Sequence, residues 1–89
     1  MPTLESVKDI ARYFQFHSIK VRPEAANAII SQLLHIQFNE SRQRYMDKFV
    51  QVLKEWQRVN RSAAILDKDT VDKIAQSTEM QSFDPSISQ

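Results

Sequence analysis

Side chains capable of chemistry are few in this chain, and their spacing does not suit it. His17 and His35 are the only histidines. Neither has a second ligand three or four residues away, the spacing with which one helix face holds zinc. With no cysteine, the chain lacks thiolate nucleophiles, zinc–thiolate sites and disulfides, a composition that suits a reducing compartment. The carboxylates have plainer roles as helix caps, dipole partners or members of ion pairs, and no acid/base dyad emerges from them. Phosphate-cradling loops, dinucleotide fingerprints and nucleophile elbows all require glycine, and the chain contains none. The sequence therefore predicts no enzyme, no metal and no cofactor.

Cations and aromatics form the remaining patterns. Arg42, Arg44, Lys48, Lys54, Arg58 and Arg61 are half of the basic residues and fall on or beside one helical stretch. Glu40, Asp47 and Glu55 interrupt them, and the formal charge is only +1, from 12 basic and 11 acidic residues. A solvated helix face explains this better than a nucleic-acid stripe, which needs a one-signed field. Tyr45, Phe49 and Trp56 recur at helical spacing and read as core, with Phe49, Leu53 and Trp56 expected to be the most buried residues of that helix.

The elements positioning these residues are predominantly helical. At 89 residues with 42% hydrophobic content, the chain is long enough for one domain with a small core. No apolar stretch approaches the ~20 residues that span a bilayer. The N-terminus also lacks the order of a signal peptide, so a soluble intracellular protein with no membrane contact is expected. Thr3 can cap a first helix carrying Leu4, Val7, Ile10, Ala11 and Phe14 on one face, with Glu5–Lys8 and Asp9–Arg12 as surface ion pairs. Periodicity fails after Phe14, and Ile19–Val21 alternates as a short strand. Pro23 then opens a second helix to about Ile36, with Ala26, Ile30, Leu33 and Leu34 as its central stripe. A third helix begins at Asn39 or Ser41 and has an apolar arc of roughly 180°. The run Ala63-Ala64-Ile65-Leu66 follows, and Asp67 or Asp69 caps a fourth helix in which Asp69 and Lys73 can pair.

The two short apolar runs occupy equivalent places between helices. A lone strand leaves its backbone groups unpaired, so the two runs are expected to pair with each other. The predicted architecture is all-α: a four-helix interaction domain over residues 1–76, bridged by two short strands, followed by a flexible tail or linker over 77–89 that contributes little to stability. Phe16, Val50 and Val59 lie at stripe margins or in a loop, where a small domain leaves apolar surface uncovered. They are the candidate apolar contacts of a partner surface, with Arg58 and Arg61 as its charged rim.

Ser18-Ile19-Lys20, Tyr45-Met46-Asp47-Lys48-Phe49, Leu53-Lys54-Glu55-Trp56-Gln57 and Ala64-Ile65-Leu66-Asp67-Lys68, leading to Val71-Asp72-Lys73-Ile74, carry a resemblance. From about Asp9 to Met80 the chain resembles the N-terminal domain of the non-catalytic B subunit of DNA polymerase epsilon. It departs from the family at the turn before the first strand, where Phe16-His17 stands in place of a common glycine. The resemblance implies a fold similar to the C-terminal lid domain of AAA+ ATPases. It also implies a nuclear role in DNA replication: binding the GINS part of the replicative helicase and so tethering the leading-strand polymerase. The polymerase's catalytic subunit would be held through other domains of the B subunit, and this chain, a monomer on its own, would be an N-terminal fragment. A small DNA-binding helical domain and a lid-like regulatory module for another ATPase are the competing readings.

Overall fold

The computed structural model describes residues 4–61 and 65–83. In chain order the elements are α1 (Val7–Gln15), β1 (Lys20–Val21), α2 (Pro23–Leu33), α3 (Asn39–Asn60), β2 (Ile65–Leu66), α4 (Lys68–Ala75) and α5 (Thr78–Gln81). The chain is mostly helical, as its periodicity predicts, and none of the described helices is long and apolar enough to cross a membrane. Ser6 caps α1 by accepting a hydrogen bond from the Asp9 N–H at 3.2 Å; Thr3 lies outside the described residues.

Helix α1 ends in a left-handed turn built without glycine. The Ile19 N–H donates to the Phe14 carbonyl and the Ser18 N–H to that of Gln15, each at 3.0 Å, with Ser18 at φ 60°. This is the bond pattern of a Schellman motif, in which the left-handed residue usually lacks a Cβ. The special position is therefore Ser18, one residue beyond Phe16-His17. The turn sends Ile19, 5% exposed, back into the core beneath Phe14 and starts β1.

The two strands pair in parallel, Lys20 beside Ile65 and Val21 beside Leu66, and the Arg22 N–H extends the ladder to the Leu66 carbonyl at 3.0 Å. Parallel pairing needs a long crossover, which α2 and α3 supply. The bridge expected from the two equivalent apolar runs is thus present; Ala63 and Ala64 lie outside the described residues.

Helix α2 packs against both α1 and α4. Its buried residues are Ala25, Ala26, Ile29 and Leu33, a face rotated from the expected stripe. Contact on two sides favours the small Ala25–Ala26 pair, which lets backbones approach closely. Leu34 caps the helix and is 71% exposed, and a turn at His35 returns Ile36 to the core.

At the centre, Phe14 meets Phe49 edge-on, with ring centroids 6.1 Å apart. Ile10, Ile29, Leu33, Met46, Leu53, Leu66, Val71 and Ile74 close around the pair. The Tyr13 hydroxyl donates to the Asp47 carboxylate and ties α1 to α3. Burial first, and then that carboxylate, push the Tyr13 phenol well above its ordinary range.

Packing continues past the expected boundary at residue 76. Ser77 caps α5 by accepting from the Met80 N–H at 3.4 Å, and its own hydroxyl donates to the Ile74 carbonyl at 2.6 Å. That turn lays Met80, 4% exposed, onto the core and sets Phe83 edge-on to Tyr45 at 5.5 Å. The segment from Thr78 to Phe83 is thus part of the packed domain, contrary to the expected flexible tail. Two isolated apolar residues among Ser and Gln give no periodicity, which is why the sequence conceals the contact.

Candidate functional site

Helix α3 has 22 residues, and its buried positions are Ser41, Tyr45, Met46, Phe49, Val50 and Leu53. Beyond Leu53 no residue of the helix is buried, although the apolar periodicity runs on through Trp56 and Val59. Trp56 is half-buried against the edge of the core and Val59 is 66% exposed. Trp56 is therefore not among the most buried residues of its helix, as its position in the stripe suggested. Nothing among the described residues covers its outer flank.

This uncovered flank is one wall of a groove of about 550 Å³. Val52, Trp56 and Val59 provide its apolar side along α3. Ile74 and Lys73 of α4, with Ser77 and Glu79 at α5, form the other side. Lys48 and Gln51 close one end and Asn60 the other, a length of ~18 Å along the helix at 1.5 Å per residue. The Lys48 ammonium donates to the Ser82 hydroxyl at 3.4 Å, fastening the end of α5 over that corner. The Asn60 amide donates to the Trp56 carbonyl at 2.9 Å, so the polar residue that projects along the core face needs no buried partner.

The five candidate contacts separate. Val59 lines the groove. Val50 does not, because it is only 4% exposed. It lies four residues after Met46 and three before Leu53, inside the buried stripe, whose centre is rotated towards Val50 and away from Val52. Arg58 reaches back to Glu55, with its Nη2 2.5 Å from Oε1. Hydrogen bonding from the guanidinium holds the Glu55 carboxyl below its ordinary range. Both side chains are exposed, so the pair adds little to stability, but it holds Arg58 beside the groove. Arg61 is the left-handed C-cap of α3, at φ 50° with its N–H on the Gln57 carbonyl, and so shapes the end of the helix. Phe16, 84% exposed, sits past the end of α1 beside Arg12 and Gln15 and does not line the groove.

Trp56 and Val52 are the contacts the sequence analysis did not single out. Their signal was the 180° breadth of the α3 apolar arc, which is wider than one packing face needs. Two further carboxylates serve the fold. Asp67 caps α4 from the Thr70 N–H at 2.9 Å, and Asp9 accepts from the Glu5 N–H at 3.3 Å. The expected Glu5–Lys8, Asp9–Arg12 and Asp69–Lys73 ion pairs do not form, since among the described residues none of the three cations has a carboxylate within salt-bridge distance. His17 lies against the Tyr13 ring at 5.2 Å, and His35 is exposed. Among the described residues no group of three His, Cys, Asp or Glu could hold a metal.

Comparison with family models, with curated proteins and with solved structures returns no match in any of the three.

Proposed function

We propose that this chain is a non-catalytic docking module and that its partner binds in the groove between α3 and α4–α5. The observation carrying this reading is that the apolar periodicity of α3 outlasts its full burial: Trp56 and Val59 continue the stripe past Leu53, its last buried residue, and Val52 joins them along the groove. A concave apolar floor with polar ends is the form taken by helix-in-groove and related recognition sites. Large apolar side chains left half-exposed in a row favour a partner over solvent.

The resemblance to the N-terminal domain of the polymerase epsilon B subunit supplies the identity of the partner. On that reading the module works in the nucleus and binds GINS, and a linker to the rest of the B subunit raises the local concentration of the polymerase at the helicase without any catalysis. The likeness to the AAA+ lid domain belongs to the same proposal; four principal helices joined through a two-strand bridge support it.

The test is calorimetric titration of the parent protein and of Val59→Lys with purified GINS at moderate salt. A lysine here places charge on the apolar floor while suiting the C-terminal end of the helix dipole. The variant should bind roughly tenfold or more weakly, the loss expected at an interface hot spot, with an unchanged melting temperature. If the folded parent does not bind GINS, the partner is wrong. If the parent binds and the variant binds equally well, the groove is wrong. Tight association with duplex DNA that weakens steeply with salt would replace both by the DNA-binding reading.

A further inference from the structure

The outer face of α1 carries a row that folding does not use. Lys8, Arg12 and Phe16 recur every fourth residue, opposite the buried Ile10 and Phe14, and span ~12 Å along the helix axis. Phe16 is the most exposed large apolar residue described, at 84%. Among the described residues neither the Lys8 ammonium nor the Arg12 guanidinium holds a hydrogen bond or an ion pair. The nearest acid in sequence, Asp9, accepts from the Glu5 N–H, and Asp47 across the helix pair accepts from Tyr13. Two cations without a partner among the described residues, one turn apart, therefore lead to an uncovered aromatic ring.

We infer that this face recognises an acidic segment of a partner protein, one that presents two carboxylates a helical turn apart followed by a bulky apolar side chain. Charge complementarity sets the class. The guanidinium of Arg12 can take a carboxylate in bidentate fashion, the Lys8 ammonium can take a second, and the apolar residue then meets Phe16. Nucleic acid suits the row less well. The phosphates of a duplex would satisfy the cations, but its stacked bases would leave the ring without an apolar contact, and a net charge of +1 gathers no polyanion. The face is separate from the groove, so the inference does not rest on GINS as partner.

The experiment is an NMR titration of the full chain with three probes: a helical peptide bearing the two glutamates and a leucine, the same peptide with lysines in place of the glutamates, and a short DNA duplex. The acidic peptide should saturate and shift the amides of Lys8, Arg12 and Phe16. Lys8→Glu combined with Arg12→Glu should weaken it roughly thirtyfold or more, the effect of losing one hot-spot contact, and should bind the lysine peptide instead. Phe16→Ser should weaken the acidic peptide with no change in melting temperature, and Val59→Lys should leave its binding intact. If the double variant loses its fold, Arg12→Gln alone carries the charge test. Failure of the acidic peptide to saturate, shifts confined to the groove, indifference to charge reversal, or preferential binding of the duplex would each overturn the inference.

Discussion

The two halves of α3 share one sequence pattern and have different surroundings. From Ser41 to Leu53 every turn contributes a buried residue; from Lys54 to Asn60 none does. The first half is enclosed by α1, through the Tyr13–Asp47 bond and the Phe14–Phe49 contact, and by the end of α5, through Phe83 on Tyr45. Among the described residues the second half has neighbours along one flank only, from α4 and the start of α5. Helical periodicity fixes the direction in which a side chain points, but burial also requires a neighbour there. Where the neighbour is missing, the same stripe becomes surface that a second molecule can cover.

The sharpest way to break this contrast is to truncate one apolar residue in each half. Leu53→Ala should cost roughly 2–5 kcal/mol, because a fully enclosed side chain leaves a cavity its neighbours cannot fill. Trp56→Ala removes a larger side chain but one already half in water, and should cost less than Leu53→Ala despite its size. Urea unfolding of both variants decides the matter. A greater loss at Trp56 would mean that the core extends through the second half of α3.

The next effect concerns the cover over the first half. Met80→Ala should cost about 2 kcal/mol, the low end for a buried methionine because α5 is short and terminal. A thermal transition unmoved by this change would return α5 to the status of a tail and leave the first half of α3 more open than its burial indicates.

These elements also separate what the sequence discloses from what it conceals. The helices, the paired strands and the Pro23 helix start follow from local rules: period, capping chemistry and the need of backbone groups for partners. The bridge was legible because Ile19–Val21 and Ile65–Leu66 occupy equivalent places in two similar units. Val50 was misread because a wide apolar arc does not reveal its own centre, which depends on where α1 and α5 happen to lie. Trp56 was misread for the converse reason, as a fully enclosed residue in the part of the helix that meets the core at one edge. Met80 and Phe83 carry no periodic signal at all, and only the Ser77 turn brings them home. Of the expected contacts, Val59 alone lines the groove, so the candidate site was legible in kind, as a margin of α3, and hardly at all in its members.

A smaller effect probes α4, the one wall that accompanies the second half. Asp67→Ala should cost about 1 kcal/mol through loss of the N-cap. Hydrogen bonding from Thr70, side chain first and then backbone, holds the Asp67 carboxyl below its ordinary value. The sign follows from linkage: a depressed folded-state pKa adds stability above the ordinary carboxylate range and loses it as pH falls through the lower folded value. Asp67→Asn keeps an acceptor for the cap without the charge. It should therefore lie closer to the parent than alanine does at neutral pH, and lack this part of the parent's loss of stability on acidification. Denaturant midpoints from pH 7 downwards check both points. An asparagine variant with the parent's full acid dependence would remove Asp67 from the account.

The smallest effect on stability is the most informative about the uncovered half. Val59 is 66% exposed, so Val59→Lys gives up little buried area, and substitutions at such positions usually stay within about 0.5 kcal/mol. The helix dipole pulls slightly in the stabilising direction, since a cation in the last turn faces its negative end. Arg58 lies one residue away and is already held by Glu55, so the new charge meets a neighbour that is largely compensated. The variant should accordingly unfold at the parent's denaturant midpoint. A clear loss of stability would mean that Val59 is covered in solution by part of the chain itself, and the two halves of α3 would then differ only in which segment encloses them. An unchanged midpoint leaves Val59 as an apolar residue that serves no purpose in the isolated fold, and the affinity of the same variant for its partner becomes a measurement of docking alone.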